Sequence, residues 1–180
     1  GDNSVGAFSI ACYYCPFAFM IGNAIARSAQ PIISYNYGLS YKNRVVVTEK
    51  LAIISAIGCS MIVTAAFIFI PGALTELYLD SNNPSAQIAV KGFPLFSAAF
   101  VFFIFNLTAI GYFQSVEKVI PSIAFALLRG LIFLVPSFLL MPVVFGDAGM
   151  LLALFVSKSL TSASIIIYYF CNRCKTKPED

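Results

Sequence analysis

The sequence contains no histidine and few charged residues. Asp, Glu, Lys and Arg make up 11% of the 180 residues, against about 25% in an average soluble domain. Without histidine, imidazole catalysis and His-ligated metal sites are excluded. Hydrophobic residues reach 59%, and tryptophan is also missing. This composition is typical of an integral membrane protein and excludes an ordinary soluble domain.

Acidic side chains are missing from the apolar segments. All eight fall in connections or at segment ends: Asp2, Glu49, Glu76, Asp80, Glu117, Asp147, Glu179 and Asp180. Ion-coupled transport normally needs an ionisable group within the membrane. We therefore expect a coupling ion, H+ or Na+, to bind mainly outside this chain. With no acid, histidine or serine–base pair within a span, we expect neither enzymatic activity nor a cofactor.

Five apolar segments are long enough to cross a bilayer, which takes roughly 20 residues. They run over residues 5–35, 51–70, 93–113, 119–145 and 150–170. The alternating ten-residue pattern of a membrane barrel is not present. The predicted fold class is therefore all-α, a polytopic bundle of five transmembrane helices. The fourth segment carries Arg129, Pro136 and Pro142, so we expect it to sit against partner helices and line something polar.

Basic residues are concentrated on one side of the predicted bundle. Seven belong to the connections 38–50 and 115–118 and to the tail 171–180: Lys42, Arg44, Lys50, Lys118, Arg173, Lys175 and Lys177. The other side has only Lys91. The positive-inside rule predicts that the tail is cytoplasmic, in a cell inner (plasma) membrane. Gly1 would then lie outside, which suggests that a further span precedes it in a longer protein.

Two C-x-x-C pairs are present, Cys12/Cys15 and Cys171/Cys174. Two such pairs can form a zinc site. Here the first pair falls inside a span and the second at the opposite membrane face. Cysteines three residues apart on a helix are ordinarily small packing residues, so we expect no metal site.

Polar residues within or beside the spans are the candidate substrate-binding groups. Arg129 lies well inside the fourth segment and could face a wet cavity, snorkel inward or bond the carbonyls freed by Pro136. Lys158 lies near the middle of the last segment and could face a water-filled cavity or pair with an acid on an absent segment. Pro31 bends the polar end of the first segment, which suggests a cavity mouth or a hinge, although tyrosines there also serve as interfacial anchors. The candidates for substrate binding are Gln30, Tyr35, Asn106, Arg129 and Lys158, and those for hinges are Pro31 and Pro136.

Three stretches resemble the C-terminal lobe of multidrug and toxic compound extrusion (MATE) transporters. SAQPIISYNYG, followed by a basic connection, is similar to the second helix of that lobe. NLTAIGYFQSVEKVIPS resembles the end of its fourth helix, and LLRGLIFLVPSFLLMPVVFG resembles its fifth. The resemblance implies a fold of twelve helices in two six-helix lobes, of which this chain would be a fragment providing five helices of the second.

The resemblance implies a secondary active multidrug efflux antiporter that works by alternating access. It would exchange small organic substrates, cationic or amphipathic, for protons or sodium ions, and its partners would be the lipid bilayer and a missing N-terminal lobe, not nucleic acid. One departure is the pair Ser157-Lys158, where many relatives carry an acid. The alternatives are a lipid-precursor flippase of the same superfamily, which the buried cations favour, and a membrane subunit without transport activity.

Overall fold

The computed structural model describes residues 2–78, 83–146 and 149–175. Over these ranges the chain is helical and contains no strand. The elements are α1 (Asp2–Gly38), α2 (Lys42–Phe69), α3 (Pro71–Glu76), α4 (Pro84–Ser115), α5 (Val119–Leu127), a π-helical turn (Leu128–Ile132), α6 (Leu134–Phe145) and α7 (Gly149–Lys175).

Within the described part of the chain, five helical spans are long and apolar enough to cross a membrane, which confirms the predicted fold class. Several helices extend beyond their apolar segments. For example, α2 begins at Lys42, well before the predicted start at residue 51, because helical hydrogen bonds are local and continue into polar sequence. The short helix α3 was not predicted. In the predicted tail 171–180, α7 continues to Lys175, and residues 176–180 lie outside the described part of the chain.

Helix α4 forms the centre of the bundle, since it packs against α1, α2 and α7. It carries several of the largest fully buried side chains, including Phe93, Phe96, Ile104 and Asn106. By contrast, the span Val119–Phe145 is the least buried of the five. The expectation that this segment sits among partner helices is therefore met mainly on one side, where α6 packs against α7.

Small residues let α1 approach α4 closely. Ala18, Gly22 and Ala26 are four residues apart on one face of α1, and all three are buried. A Cβ atom added to Gly22 would lie 2.7 Å from Leu107, and one added to Gly111 would lie 2.9 Å from the Ala26 Cβ. Small residues at such spacing are the usual means of close packing between membrane helices. This contact fixes the position of α4 and of the side chains it carries.

The fourth span is not one continuous α-helix. In a regular α-helix the Phe133 amide would donate to the Arg129 carbonyl, four residues back. Here it donates to the Leu128 carbonyl, five residues back, at 3.0 Å. Pro136 follows at once and has no N–H, so the Ile132 carbonyl also lacks its α-helical donor. The π-helical turn therefore frees the Arg129 carbonyl from its regular partner, which the sequence interpretation did not anticipate.

We expect Gly111→Leu to destabilise the bundle by about 1–3 kcal/mol, because the new side chain collides with Ala26 and overpacks the α1–α4 contact. Thermal unfolding of the purified protein in detergent would measure the change. The matched control is Gly58→Leu, since a Cβ atom there meets nothing within 4 Å and the change in helix propensity is the same. Equal unfolding temperatures for the two variants would contradict the proposed close packing.

Candidate functional site

A buried lysine links α7 to the π-helical turn. The side chain of Lys158 is only 6% exposed, and its Nζ donates to the Arg129 carbonyl at 3.1 Å. That carbonyl can accept from the lysine because the Phe133 amide donates to another residue. Among the described residues, neither Lys158 nor Arg129 forms a salt bridge with a carboxylate. The amine is thus held by a backbone dipole instead of an acid.

Asn106 connects this lysine to the central helix. Its side chain is completely buried, and its Nδ2 donates to the Lys158 carbonyl at 3.0 Å. The Ser162 hydroxyl donates to the Asn106 Oδ1 at 2.8 Å. Buried polar groups are costly unless they are paired, so this small network fixes α7 against α4. The network also sets the direction in which Lys158 leaves its helix.

Lys158 and the partly buried Arg129 share one aromatic ring. The Arg129 Cζ and the Lys158 Nζ each lie 5.4 Å from the centroid of the Phe103 ring. The face of an aromatic ring attracts cations at about this distance. The Nη1 of Arg129 is buried and has no hydrogen-bond partner. The site therefore has two positive charges beside Phe103, and one of them, Arg129, has a hydrogen-bond donor without an acceptor.

A cavity of about 100 Å³ lies next to Lys158. Apart from this lysine its lining is apolar and comes from four helices: Cys15, Phe96, Ala99, Phe100, Phe103, Leu134 and Leu154. An apolar cavity of about 150 Å³ can hold a benzene molecule. The cavity next to Lys158 is smaller, so it has room for a group somewhat smaller than benzene or for a ring that is only partly inserted. The arrangement of an apolar chamber with one charged group at its wall is typical of small-molecule sites.

The structure brings together three of the five predicted substrate-binding residues, Asn106, Arg129 and Lys158. Gln30 and Tyr35 do not join them. The Gln30 Nε2 donates to the Oε1 of Gln114, near the end of α4, and Tyr35 is 69% exposed. Gln114 follows Asn106 by about two helical turns, or roughly 12 Å along the axis. These residues form a separate polar region at one end of the bundle.

The predicted hinge residues are both exposed. Pro31 lies inside α1, which continues to Gly38. Pro136 lies in the first turn of α6, directly after the π-helical turn. A proline and a π-helical turn are both recognised causes of helix bending, so the fourth span contains two such features side by side.

The expectation that every acid lies outside the helical spans is wrong for Glu49. This residue belongs to α2, is 6% exposed, and accepts a hydrogen bond of 3.3 Å from the Tyr169 hydroxyl. The prediction failed because α2 begins earlier than its apolar segment. A helical pattern was available in the sequence, since Val45, Glu49, Ala52 and Ala56 share one face and are all buried.

Sequence reasoning also missed Phe103, which contacts both cations. The residue belongs to the aromatic run FVFFIF, where nothing in the sequence distinguishes one phenylalanine from the next. Ser162 stands among several hydroxyl residues of α7 for which packing is the ordinary role. Only the positions of α4 and α7 select these two side chains for the site.

The family model MatE matches residues 1–139. No curated protein and no solved structure matches the chain. The matched region includes Phe103, Asn106 and Arg129, whereas Lys158 lies beyond it. The family assignment therefore does not depend on the lysine at the centre of the site.

We expect Asn106→Ala to cost about 1–2 kcal/mol of stability, because it leaves the Lys158 carbonyl and the Ser162 hydroxyl without this partner. A double-mutant cycle with Ser162→Ala should give a coupling energy of about 0.6 kcal/mol, the mean for hydrogen bonds between membrane helices. Denaturant unfolding in mixed micelles measures both. Ser159→Ala is the control, since its hydroxyl bonds only to its own helix. Strict additivity of the two changes would argue against the Asn106–Ser162 hydrogen bond.

Proposed function

Because this chain belongs to the MatE family of membrane transporters, we propose that it is part of a secondary active multidrug exporter. In this proposal it moves small amphipathic organic compounds out of the cell by alternating access. The observation that carries the proposal is the burial of Lys158 beside an apolar cavity, with no carboxylate to neutralise it among the described residues. Ionisable groups inside membrane helices are costly and ordinarily serve transport or binding.

We place the substrate against the cluster of Asn106, Arg129 and Lys158. The cavity next to Lys158 would hold the apolar part of the substrate, and the cluster would hold its polar part. Gln30 and Tyr35 would line the mouth through which the substrate enters from the cytoplasm. Two positive charges oppose the binding of a cationic group beside Lys158. Of the cationic and amphipathic substrates that the resemblance implied, we therefore favour the amphipathic ones at this site.

The exchanged ion would be H+ or Na+, bound mainly outside this chain. We propose that the five helices belong to a six-helix lobe and face a second lobe across the substrate pathway. The low burial of the span Val119–Phe145 supports this, since its exposed apolar side chains can meet lipid or another lobe. The clustered basic residues support a cytoplasmic C-terminus and an inner (plasma) membrane location.

A lipid-precursor flippase of the same superfamily is the second candidate. The specific observation in its favour is the pair of cations around Phe103, which suits an anionic headgroup. The small volume of the cavity favours the exporter, because about 100 Å³ accommodates a short alkyl group or a partly inserted ring and not a lipid-linked sugar.

We expect Lys158→Ala to lower resistance to the compounds that the wild-type transporter exports, without loss of expression. A lost hydrogen bond to a charged group costs about 1.5–3 kcal/mol, which corresponds to roughly tenfold or more in affinity. Minimum inhibitory concentrations in a strain without its own exporters, together with immunoblots of the membrane fraction, provide the measurement. Lys118→Ala, in an exposed connection, is the control. Unchanged resistance would return Lys158 to a purely structural role.

We expect Pro136→Ala to slow export while leaving substrate affinity nearly unchanged. Alanine supplies the N–H that the Ile132 carbonyl lacks, so the fourth span becomes straighter and bends less easily. Initial rates of dye efflux from loaded vesicles, compared with equilibrium binding of the same dye, separate the two effects. Pro84→Ala is the matched control, because a proline at the first residue of α4 replaces an N–H that would be unpaired in any case. If both variants export at the wild-type rate, Pro136 is not a hinge.

A further inference from the structure

We propose that the cavity next to Lys158 selects organic anions, with an aromatic or short aliphatic body inside the chamber and a carboxylate or sulfonate on Lys158 and Arg129. The inference rests on the proposed transport function and narrows its substrate class. Three independent features of the site support it: the balance of charge, the unused donors and the shape of the chamber.

The charge of the site is positive and unbalanced. Lys158 and Arg129 both lie 5.4 Å from the Phe103 ring centroid, so they are separated by at most twice that distance. Among the residues that the structure describes, the buried acid is Glu49, and it contacts Tyr169 instead of either cation. Two like charges in a medium of low dielectric repel each other, and each also loses its hydration. An anion between them replaces this repulsion with two attractions.

The site also has donors without acceptors. The Arg129 Nη1 is buried and has no hydrogen-bond partner. The Lys158 amine carries three protons, and the acceptor that the structure gives it is the Arg129 carbonyl. Buried donors are nearly always paired in native proteins. A carboxylate or sulfonate is acceptor-only and forms short, charge-assisted bonds with such groups.

The chamber determines what is attached to the anion. The chamber has an aromatic wall formed by Phe96, Phe100 and Phe103, and Leu134 and Leu154 contribute aliphatic surface to its lining. Its volume of about 100 Å³ is below the about 150 Å³ that holds benzene, so it suits a short alkyl group or a partly inserted ring better than an acyl chain. The charged wall rejects an organic cation of the same shape. The predicted ligand is therefore an aryl or short alkyl carboxylate or sulfonate.

A series of benzene derivatives with matched shapes tests the inference. The transporter, expressed from its native open reading frame, is purified and reconstituted in phosphatidylcholine, so that no anionic lipid competes. Binding is measured for benzoate, benzyl alcohol and benzylammonium. We expect benzoate to bind at least about tenfold more tightly than benzylammonium, since the first gains and the second loses the charged contacts.

Variants assign the effect to the two cations. Lys158→Met and Arg129→Gln should each weaken benzoate binding by about tenfold or more and leave benzyl alcohol binding unchanged. Lys158→Arg keeps the charge and should retain the preference for benzoate, which shows that a loss in Lys158→Met is not misfolding. Arg27→Gln removes an exposed cation of α1 and should have no effect.

Efflux of fluorescent dyes from the same vesicles distinguishes failure of this inference from failure of the proposed function. If the vesicles export dyes but bind benzoate no better than benzylammonium, the anion site is overturned and the transport function stands. If benzoate binds with the expected preference but no compound is transported, the site is supported and the transport function is overturned. Equal benzoate binding by wild type and both neutral variants would also overturn the site.

Discussion

The hydrogen bond from the Lys158 amine to the Arg129 carbonyl is the contact on which the candidate site depends. A backbone carbonyl inside a regular helix already has a donor, so it offers little to a buried amine. In the π-helical turn the Phe133 amide donates to the Leu128 carbonyl, one residue earlier than in an α-helix, so the Arg129 carbonyl loses its regular donor. Pro136 has no N–H, so the Ile132 carbonyl also lacks its α-helical donor. Turns of this kind are frequent at functional sites of α-helices. Here the turn allows a cation to be buried without a carboxylate.

The central position of α4 explains why the other polar groups converge on that contact. At the contact with α4, Gly22 of α1 has no side chain and Ala26 has only a methyl group, so the two helices lie close together. The same helix then presents Phe103 and Asn106 towards α7. The Phe103 ring attracts the charged amine of Lys158, and the Asn106 side chain holds α7, the helix that carries this lysine. Packing of small residues on one side of α4 therefore supports the geometry of charged residues on the other.

The bundle has a second polar region at the end where α1 and α4 meet their following connections. Gln30 bonds to Gln114 there, and Glu49 contacts Tyr169 between α2 and α7. These hydrogen bonds join helices that lie far apart in sequence, so they hold α1 against α4 and α2 against α7.

The sequence alone was sufficient to predict five membrane-length helices, and three of its stretches carried the resemblance to the MATE family. It left open whether Lys158 faces a cavity or pairs with an acid outside this chain. The five helices follow from composition and from the length of apolar runs, which the bilayer imposes on every such chain. It was not sufficient to predict that Glu49 is buried, because apolar runs mark the hydrocarbon core and not the ends of helices. It could not show which phenylalanine the cations share, nor that a carbonyl of the π-helical turn holds the lysine. Those features depend on the register and distance between helices, and only the packing of side chains in three dimensions sets both.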